Sequence, residues 1–250
     1  MEPSGAKFSQ EVADVATAQR IGDEYVIAIS KIIASHTMNE LYGAQVFDEP
    51  AIALAPTPYE KWLTCRIAME EYGHHVRFRR LADDLGIPEE KLDPAQRHLS
   101  IFEYELKGWP EFLALKALAD LAEILQMEDL LVCSYIPLRI LARELMPEEK
   151  FHAGYGRSRL SALAQTEDGK QQAQAAVDNI FPVILPFFGQ SRSKNNELFR
   201  KWGVKVHSNG AMRGDFISRV QEMTSTLGLE MPAVPQGYVT DLDEFQRRED

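Results

Sequence analysis

Two Glu-x-x-His pairs constrain the fold of this 250-residue chain more than any other feature. Glu71 and His74 form the first pair, and Glu149 and His152 form the second. Residues three apart lie on one face of an α-helix, so each pair can present a carboxylate and an imidazole to the same point. Two such helices are half of a di-metal centre in a four-helix bundle, where two further helices each supply one carboxylate.

The spacing of apolar residues predicts an all-α fold, because they recur every three or four positions along most of the chain. Long helices are predicted at about 12–47, 58–85, 111–133 and 138–164. Thr57, Pro58 and Glu60 form a capping box at the start of the second helix. Prolines predict loops at 48–58 and 87–106, and a polar loop is predicted at 189–196. The predicted organisation is one domain over 1–250, with a core bundle at about 12–166, a C-terminal helical extension at about 170–230 and a tail at about 231–250.

The chain turn near Ile136 selects the missing carboxylate for the second pair. The two members of that pair lie 13 and 16 residues after the turn, and an equal distance before it spans 120–123. Both ends of this window are carboxylates, Asp120 and Glu123, in an otherwise apolar helix. Burying either is costly unless it is paired or binds a metal. Asp120 is the preferred ligand. Three roles stay open for Glu123: an alternative ligand to Asp120, a base beside the site, or the partner of a neighbouring arginine.

For the first pair, the preceding helix offers Glu40, on the same face as His36. Glu71 lies 31 residues after Glu40. Glu149 lies 29 residues after Asp120, so the two halves have the nearly equal spacing that a pseudo-two-fold bundle requires. Four carboxylates would balance the charge of two divalent ions. Mixed carboxylate and imidazole ligands favour iron or manganese over a structural zinc site.

The other charged residues beside the two pairs are interpreted as solvated helix faces. His75 points about 100° away from His74 on an α-helix and is therefore not expected to be a ligand. The same interpretation covers Glu70, Glu148, Lys150 and the run 75–80.

Net charge, apolar runs and cysteine positions limit the kinds of partner and the cellular location that we expect for this chain. The formal net charge of −11 argues against nucleic acid, which would need a basic surface. The sequence has no signal-peptide pattern and no apolar run near the length of a membrane span, so we expect a cytoplasmic protein without a membrane partner. Cys65 and Cys133 both lie in apolar helical stretches and are predicted to be reduced, structural thiols.

Several segments along the chain carry a family resemblance: 39–43, 70–74, 101–104, 134–137, 147–152, 202–205 and 229–232, together with Asp120 and its apolar neighbours. Over roughly residues 29–235 the chain resembles the catalytic subunits of bacterial ring 1,2-phenylacetyl-CoA epoxidases. These are multicomponent monooxygenases of phenylacetic acid catabolism. The resemblance implies a ferritin-like four-helix bundle with extra C-terminal helices.

The resemblance also implies a set of site residues and a reaction. The iron ligands of the family fall on six positions of this chain: Glu40, Glu71, His74, Asp120, Glu149 and His152. It therefore favours Asp120 over Glu123, and it implies that the four carboxylates belong to the catalytic centre. The implied reaction inserts an oxygen atom from O2 into the aromatic ring of phenylacetyl-CoA or a related aryl- or acyl-CoA. Two iron ions would be the cofactor, and manganese is the alternative.

Partners follow from the same resemblance. The reaction needs two electrons, and the sequence has neither a Gly-rich dinucleotide motif nor enough cysteines for an iron–sulfur cluster. A separate NAD(P)H-dependent reductase is therefore expected. We also expect a homo- or hetero-oligomer with a sister structural subunit, which shares the fold but lacks a complete ligand set. Lys205 and Arg213, in the most basic part of the second half, are candidates for contacting CoA phosphates, with a ligand-free exposed basic face as the alternative.

Two rival functions remain open from the sequence. The chain could be a non-catalytic structural subunit that keeps the bundle for assembly and holds no stoichiometric iron. It could also be a ferritin-like metal oxidase or storage protein that has no organic substrate. The long C-terminal third favours a substrate or partner surface over a bare storage bundle.

Overall fold

A computed structural model describes residues 8–93 and 100–239, and helices make up most of this part of the chain. The α-helices in the described ranges are α1 Val15–Ile21, α2 Asp23–Gly43, α3 Glu49–Leu54, α4 Pro58–Asp84, α5 Trp109–Leu130, α6 Ile136–Leu163, α7 Glu167–Ile184, α8 Lys194–Lys201 and α9 Asn209–Leu227. No β-strand occurs in these ranges, and one isolated bridge joins Val12 to Tyr135. The prediction of an all-α, ferritin-like fold is confirmed.

Four long helices form the bundle, and they pack in two pairs. α2 packs mainly on α4, and α5 packs mainly on α6. α7 and α9, which follow the bundle in the chain, pack on α5. One cluster of buried apolar side chains contains Phe112 and Phe216, and another contains Ile29 and Tyr135. The pairing brings both Glu-x-x-His segments, on α4 and α6, into the interior of the bundle.

The start of α4 follows the sequence signal in part. Thr57 is the N-cap, and its Oγ1 accepts a hydrogen bond from the backbone N–H of Glu60 at 3.1 Å. The Glu60 carboxylate does not close the predicted capping box. It accepts a hydrogen bond from Tyr155 and pairs with Arg159 at 2.9 Å. Glu60 therefore joins α4 to α6.

The predicted helix at 12–47 begins only at Val15 and is interrupted at Gly22, and the loop predicted at 48–58 is wrong in its first half. Gly22 separates α1 from α2. Its φ is 131°, a backbone conformation that a residue without Cβ adopts without strain. At the other end α2 continues into a π-helical turn, Ala44–Asp48, and then into α3. A loop is predicted there because of its prolines. Pro50 lies in the first turn of α3, where its fixed φ suits the helical backbone.

Two smaller predictions are also corrected. The predicted polar loop at 189–196 ends early, because Ser193 caps α8 and the helix begins at Lys194. Both cysteines are free thiols, but only Cys133 is buried, so the structural interpretation is wrong for the exposed Cys65. Among the described residues, no helix combines the length and the apolar character that crossing a membrane requires.

Candidate metal centre

The inward faces of α2, α4, α5 and α6 meet in a buried cluster of carboxylates and imidazoles. One group, which we call the first position, consists of Glu40, Glu71, His74 and Glu149, and their ligand atoms lie within 4.8 Å of one another. A second group, the second position, consists of Glu71, Asp120 and His152 at the same limit. All six residues are buried. The structure thus brings the six predicted ligands together, and Glu71 belongs to both positions.

Several ligand atoms of the cluster have no hydrogen-bond partner. Nδ1 of His74 lies 2.9 Å from Oε1 of Glu149, but neither atom finds a partner at hydrogen-bonding geometry. The same is true of Glu40 Oε1, Asp120 Oδ2 and His152 Nδ1. A buried polar atom left without a partner costs about 1–3 kcal/mol. These unpaired oxygen and nitrogen atoms converge on two points. A pair of divalent cations at those points would satisfy them, so these residues fit such ions.

The electrostatics of the cluster also favour a cation. Burial, followed by the charges of Glu71 and Glu40, raises the pKa of Glu149 to about 7, although His74 opposes this shift. Burial alone would lower the pKa of His74, but the close contact with the Glu149 carboxylate and the charge of that carboxylate raise it well above the ordinary range. Both shifts arise because several carboxylates share one dry site. Divalent ions would relieve that repulsion.

Each histidine of the cluster is held by a carboxylate on its outer side. Nε2 of His74 lies 2.8 Å from Oε2 of Glu148, and Nε2 of His152 lies 2.8 Å from Oε2 of Glu70. The contacts cross between α4 and α6. With Nε2–H donating outward, Nδ1 keeps its lone pair for a metal. The interpretation of Glu70 and Glu148 as solvated is therefore wrong, and the repeated Glu-Glu-x-x-His pattern was the available signal.

Sequence reasoning missed Lys116, a buried cation beside the cluster. Its Nζ lies 2.8 Å from Glu71 Oε1 and 3.1 Å from Asp120 Oδ1. A third carboxylate, that of Asp48 in the π-helical turn, lies 3.4 Å away. Lys116 is the one basic residue of α5 and stands one turn before Asp120, which was a detectable signal.

The reserve ligand Glu123 contacts His36. Its Oε1 lies 3.0 Å from Nδ1 of His36, and both residues form a third group with Glu40 that could hold a metal ion. Burial alone would lower the pKa of His36, but the charge of Glu123 and the close contact with its carboxylate raise it to about 9. Glu123 is therefore paired with a histidine, where an arginine was one of the predicted alternatives. His75 bonds through Nδ1 to the backbone oxygen of Thr37 at 2.8 Å.

Lys205 and Arg213 are not brought to the cluster. Lys205 is buried and donates to the side chain of Gln126. Arg213 is fully buried, and its Nε donates to the backbone oxygen of Leu185 at 2.9 Å. The alternative of an exposed basic face is wrong for these two residues. Contact with CoA stays a prediction, and it would require a phosphate to reach groups that already bond within the protein.

A small cavity of about 70 Å³ adjoins the cluster. Cluster residues line part of it, together with the polar side chains of Asn39, Asp48, Lys116 and Glu123. The rest of its wall is mainly apolar and includes Phe47, Ile101, Phe102, Leu115, Ile184 and Phe187. The volume exceeds the roughly 30 Å³ share of one water, but it is below the roughly 150 Å³ cavity that holds benzene. It can take a diatomic molecule as it stands. An aromatic ring would enter only if wall side chains moved.

We expect Glu148→Ala to weaken metal binding about 10–100-fold, because His74 would lose the carboxylate that fixes its orientation. Equilibrium dialysis with Mn²⁺ measures the change. Glu144→Ala is the matched control, since Glu144 is exposed one helical turn earlier on α6. Equal affinities in the two variants would show that the outer carboxylate has no role in metal binding.

Comparison with known proteins gives the family of the chain. A search of curated proteins finds no match. The family model described as phenylacetic acid catabolic protein matches residues 10–244, which is nearly the whole chain and includes every residue of the cluster. The chain belongs to the phenylacetic acid catabolic protein family.

Proposed function

We propose that this chain is the oxygenase subunit of a di-iron monooxygenase that acts on phenylacetyl-CoA or a related aryl- or acyl-CoA. One oxygen atom of O2 would enter the aromatic ring, and the other would leave as water. The observation that carries the proposal is the cluster itself: six buried ligand residues from four helices, in a member of a phenylacetic acid catabolic family.

Two iron ions, when bound, would supply the redox chemistry that activates O2, and manganese is compatible with the same ligands. Glu40, His74 and Glu149 would hold the ion at the first position. Asp120 and His152 would hold the ion at the second position, with Glu71 shared between them. Glu148 and Glu70 would keep the two imidazoles oriented, with Nδ1 facing inward.

The cavity wall supports a role in excluding water. Its aromatic and aliphatic side chains lie beside the buried carboxylates and would keep bulk water away from them. Phe102 and Phe187 line this wall, and their side chains would have to move for a substrate ring to enter. The CoA part would remain outside, since the cavity is far too small for it.

Electrons and assembly require other proteins in this proposal. The chain has no Gly-rich dinucleotide motif and two cysteines, so the electrons would come from a separate NAD(P)H-dependent reductase. A sister structural subunit is the proposed partner in a hetero-oligomer.

The second candidate, a non-catalytic structural subunit, has one observation in its favour. Lys116 places a positive charge beside two of the three ligands of the second position. If that charge permanently replaced the metal, the bundle would keep its fold without the redox centre.

A single-turnover experiment tests the function without the reductase. The protein is loaded with excess iron(II) in the absence of oxygen, mixed with phenylacetyl-CoA and exposed to isotopically labelled O2. Two ferrous ions supply the two electrons that one turnover needs. We expect a CoA product that carries one labelled oxygen atom, detected by mass spectrometry, and none from the metal-free protein. The same experiment is run with benzoyl-CoA as a related aryl-CoA. Iron oxidation without any oxygenated product from either thioester would overturn the proposal and favour a metal oxidase.

A further inference from the structure

Lys116 makes the two halves of the cluster chemically different. The side chain is 3% exposed, and its ammonium lies among the carboxylates of Glu71, Asp120 and Asp48. Two of these three residues belong to the second position. The ammonium therefore lies where the positive charge of a second metal ion would be needed.

The first position has no comparable cation. Among the described residues, the ion pairs of Glu40 and Glu149 are formed with histidines, His36 and His74. Nδ1 of His74 would be a metal ligand at this position. Apart from the shared Glu71, the carboxylates of the first position thus have no lysine or arginine partner in the described part of the chain, and a divalent ion is the group that would balance them.

A divalent ion at the second position would share oxygen atoms with the ammonium. Glu71 Oε1 lies 2.8 Å from Lys116 Nζ and 3.1 Å from Nδ1 of His152, so the ammonium and the imidazole meet at one oxygen atom. A divalent ion held by the same oxygen atom would lie close to the ammonium, and two positive charges this close repel strongly in a dry interior. The second ion can bind only if the ammonium withdraws from Glu71 and Asp120.

Asp48 gives the ammonium a place to withdraw to. It lies 3.4 Å from Nζ, is 2% exposed and belongs to neither metal position. A shift of the lysine toward Asp48 would keep its charge paired while releasing the two ligands. The π-helical turn Ala44–Asp48, which continues α2 past Gly43, carries Asp48 into this contact.

We propose that Lys116 is an internal counter-ion that makes the two metal positions unequal, so that the first binds a divalent ion tightly and the second binds one only when Lys116 is displaced. This proposal rests on the proposed function insofar as both assign the cluster to metal binding. It differs in predicting sequential loading. The second ion should bind about a hundredfold more weakly than the first, or weaker still.

Manganese titration tests the proposal without any turnover. Mn²⁺ binding is measured by equilibrium dialysis, and electron paramagnetic resonance distinguishes an isolated ion from an exchange-coupled pair. The wild-type protein should bind one Mn²⁺ per chain tightly, with the spectrum of an isolated ion. Lys116→Met should bind two with similar affinity and give a coupled spectrum. Lys116→Gln, which keeps a polar side chain, should do the same if the Met variant folds poorly. The control Lys61→Met removes an exposed lysine of α4 and should match wild type.

The outcomes separate the two proposals. Two equivalent ions in the wild-type protein, or a single tight ion in both Lys116 variants, would overturn the counter-ion proposal and leave the oxygenase function standing. One ion in wild type and two in the variants, without oxygenated product in the single-turnover experiment, would support the counter-ion and overturn the function. No bound metal in any of the proteins would overturn both.

Discussion

Replacing Glu71 with alanine should abolish tight metal binding at the first position and weaken binding further at the second, because Glu71 is the residue that the two ligand groups share. We expect an affinity loss of roughly a hundredfold or more, since an oxygen ligand and a negative charge are removed from a dry site. The measurement is metal content after anaerobic loading with iron(II) and desalting. In wild type, metal at a hundred times its dissociation constant should add about 2.7 kcal/mol to the free energy of unfolding.

A control variant distinguishes loss of metal binding from loss of folding in the Glu71 experiment. Asp84→Ala removes an exposed carboxylate near the end of the same helix and should keep metal content and the metal-dependent rise in melting temperature. Glu71→Ala should lose both while keeping its helical circular dichroism. A variant that retains wild-type metal content and the same rise on loading would exclude Glu71 as a ligand.

The second large effect concerns stability and comes from Gly156, where α6 touches α5. A Cβ added to Gly156 would lie 2.4 Å from the backbone N of Ala117 and 2.6 Å from the backbone O of Leu113. Backbone atoms cannot avoid this contact by changing a rotamer, so the two helices would have to separate. We expect Gly156→Ala to destabilise the protein by about 3 kcal/mol or more, at the upper end of typical overpacking costs. Denaturant unfolding measures the change.

Gly154 provides the matched control on the same helix. A Cβ added there meets no atom within 4 Å, so Gly154→Ala should be neutral or stabilise the helix by up to about 1 kcal/mol. The Gly156 variant should also bind metal more weakly, because separating α5 from α6 moves Asp120 away from Glu149. Equal stability of the two variants would show that the helices are not in close contact at this point.

The arrangement of the four bundle helices was predictable because its signals are local. Helical spacing puts a carboxylate and an imidazole on one face, and the turn near Ile136 sets which residues of α5 stand opposite them. This reasoning predicted Asp120 opposite Glu149 and His152, and Asp120 does lie in one ligand group with His152. It could not decide what Glu123 contacts, because that depends on how α2 packs and where His36 points.

The features that were missed depend on tertiary contacts. The position of Lys116 one turn before Asp120 indicates that one contact, but its contact with Asp48 depends on how α2 and its π-helical turn pack. Lys205 and Arg213 suggested an exposed basic surface because charge alone does not reveal burial. The break at Gly22 and the helix after Asp48 were missed for a related reason, since glycine and proline permit several conformations and packing selects among them.

The most direct test of the metal centre is an anomalous difference map, recorded at the iron absorption edge from crystals of the protein loaded with iron(II) without oxygen. The predicted result is a peak at the first position, in contact with Nδ1 of His74 and the carboxylates of Glu40, Glu71 and Glu149. A weaker peak or none should appear between Asp120 and His152 in wild type, and a full peak there in Lys116→Met. The absence of iron from the first position, with iron bound elsewhere or not at all, would contradict the account.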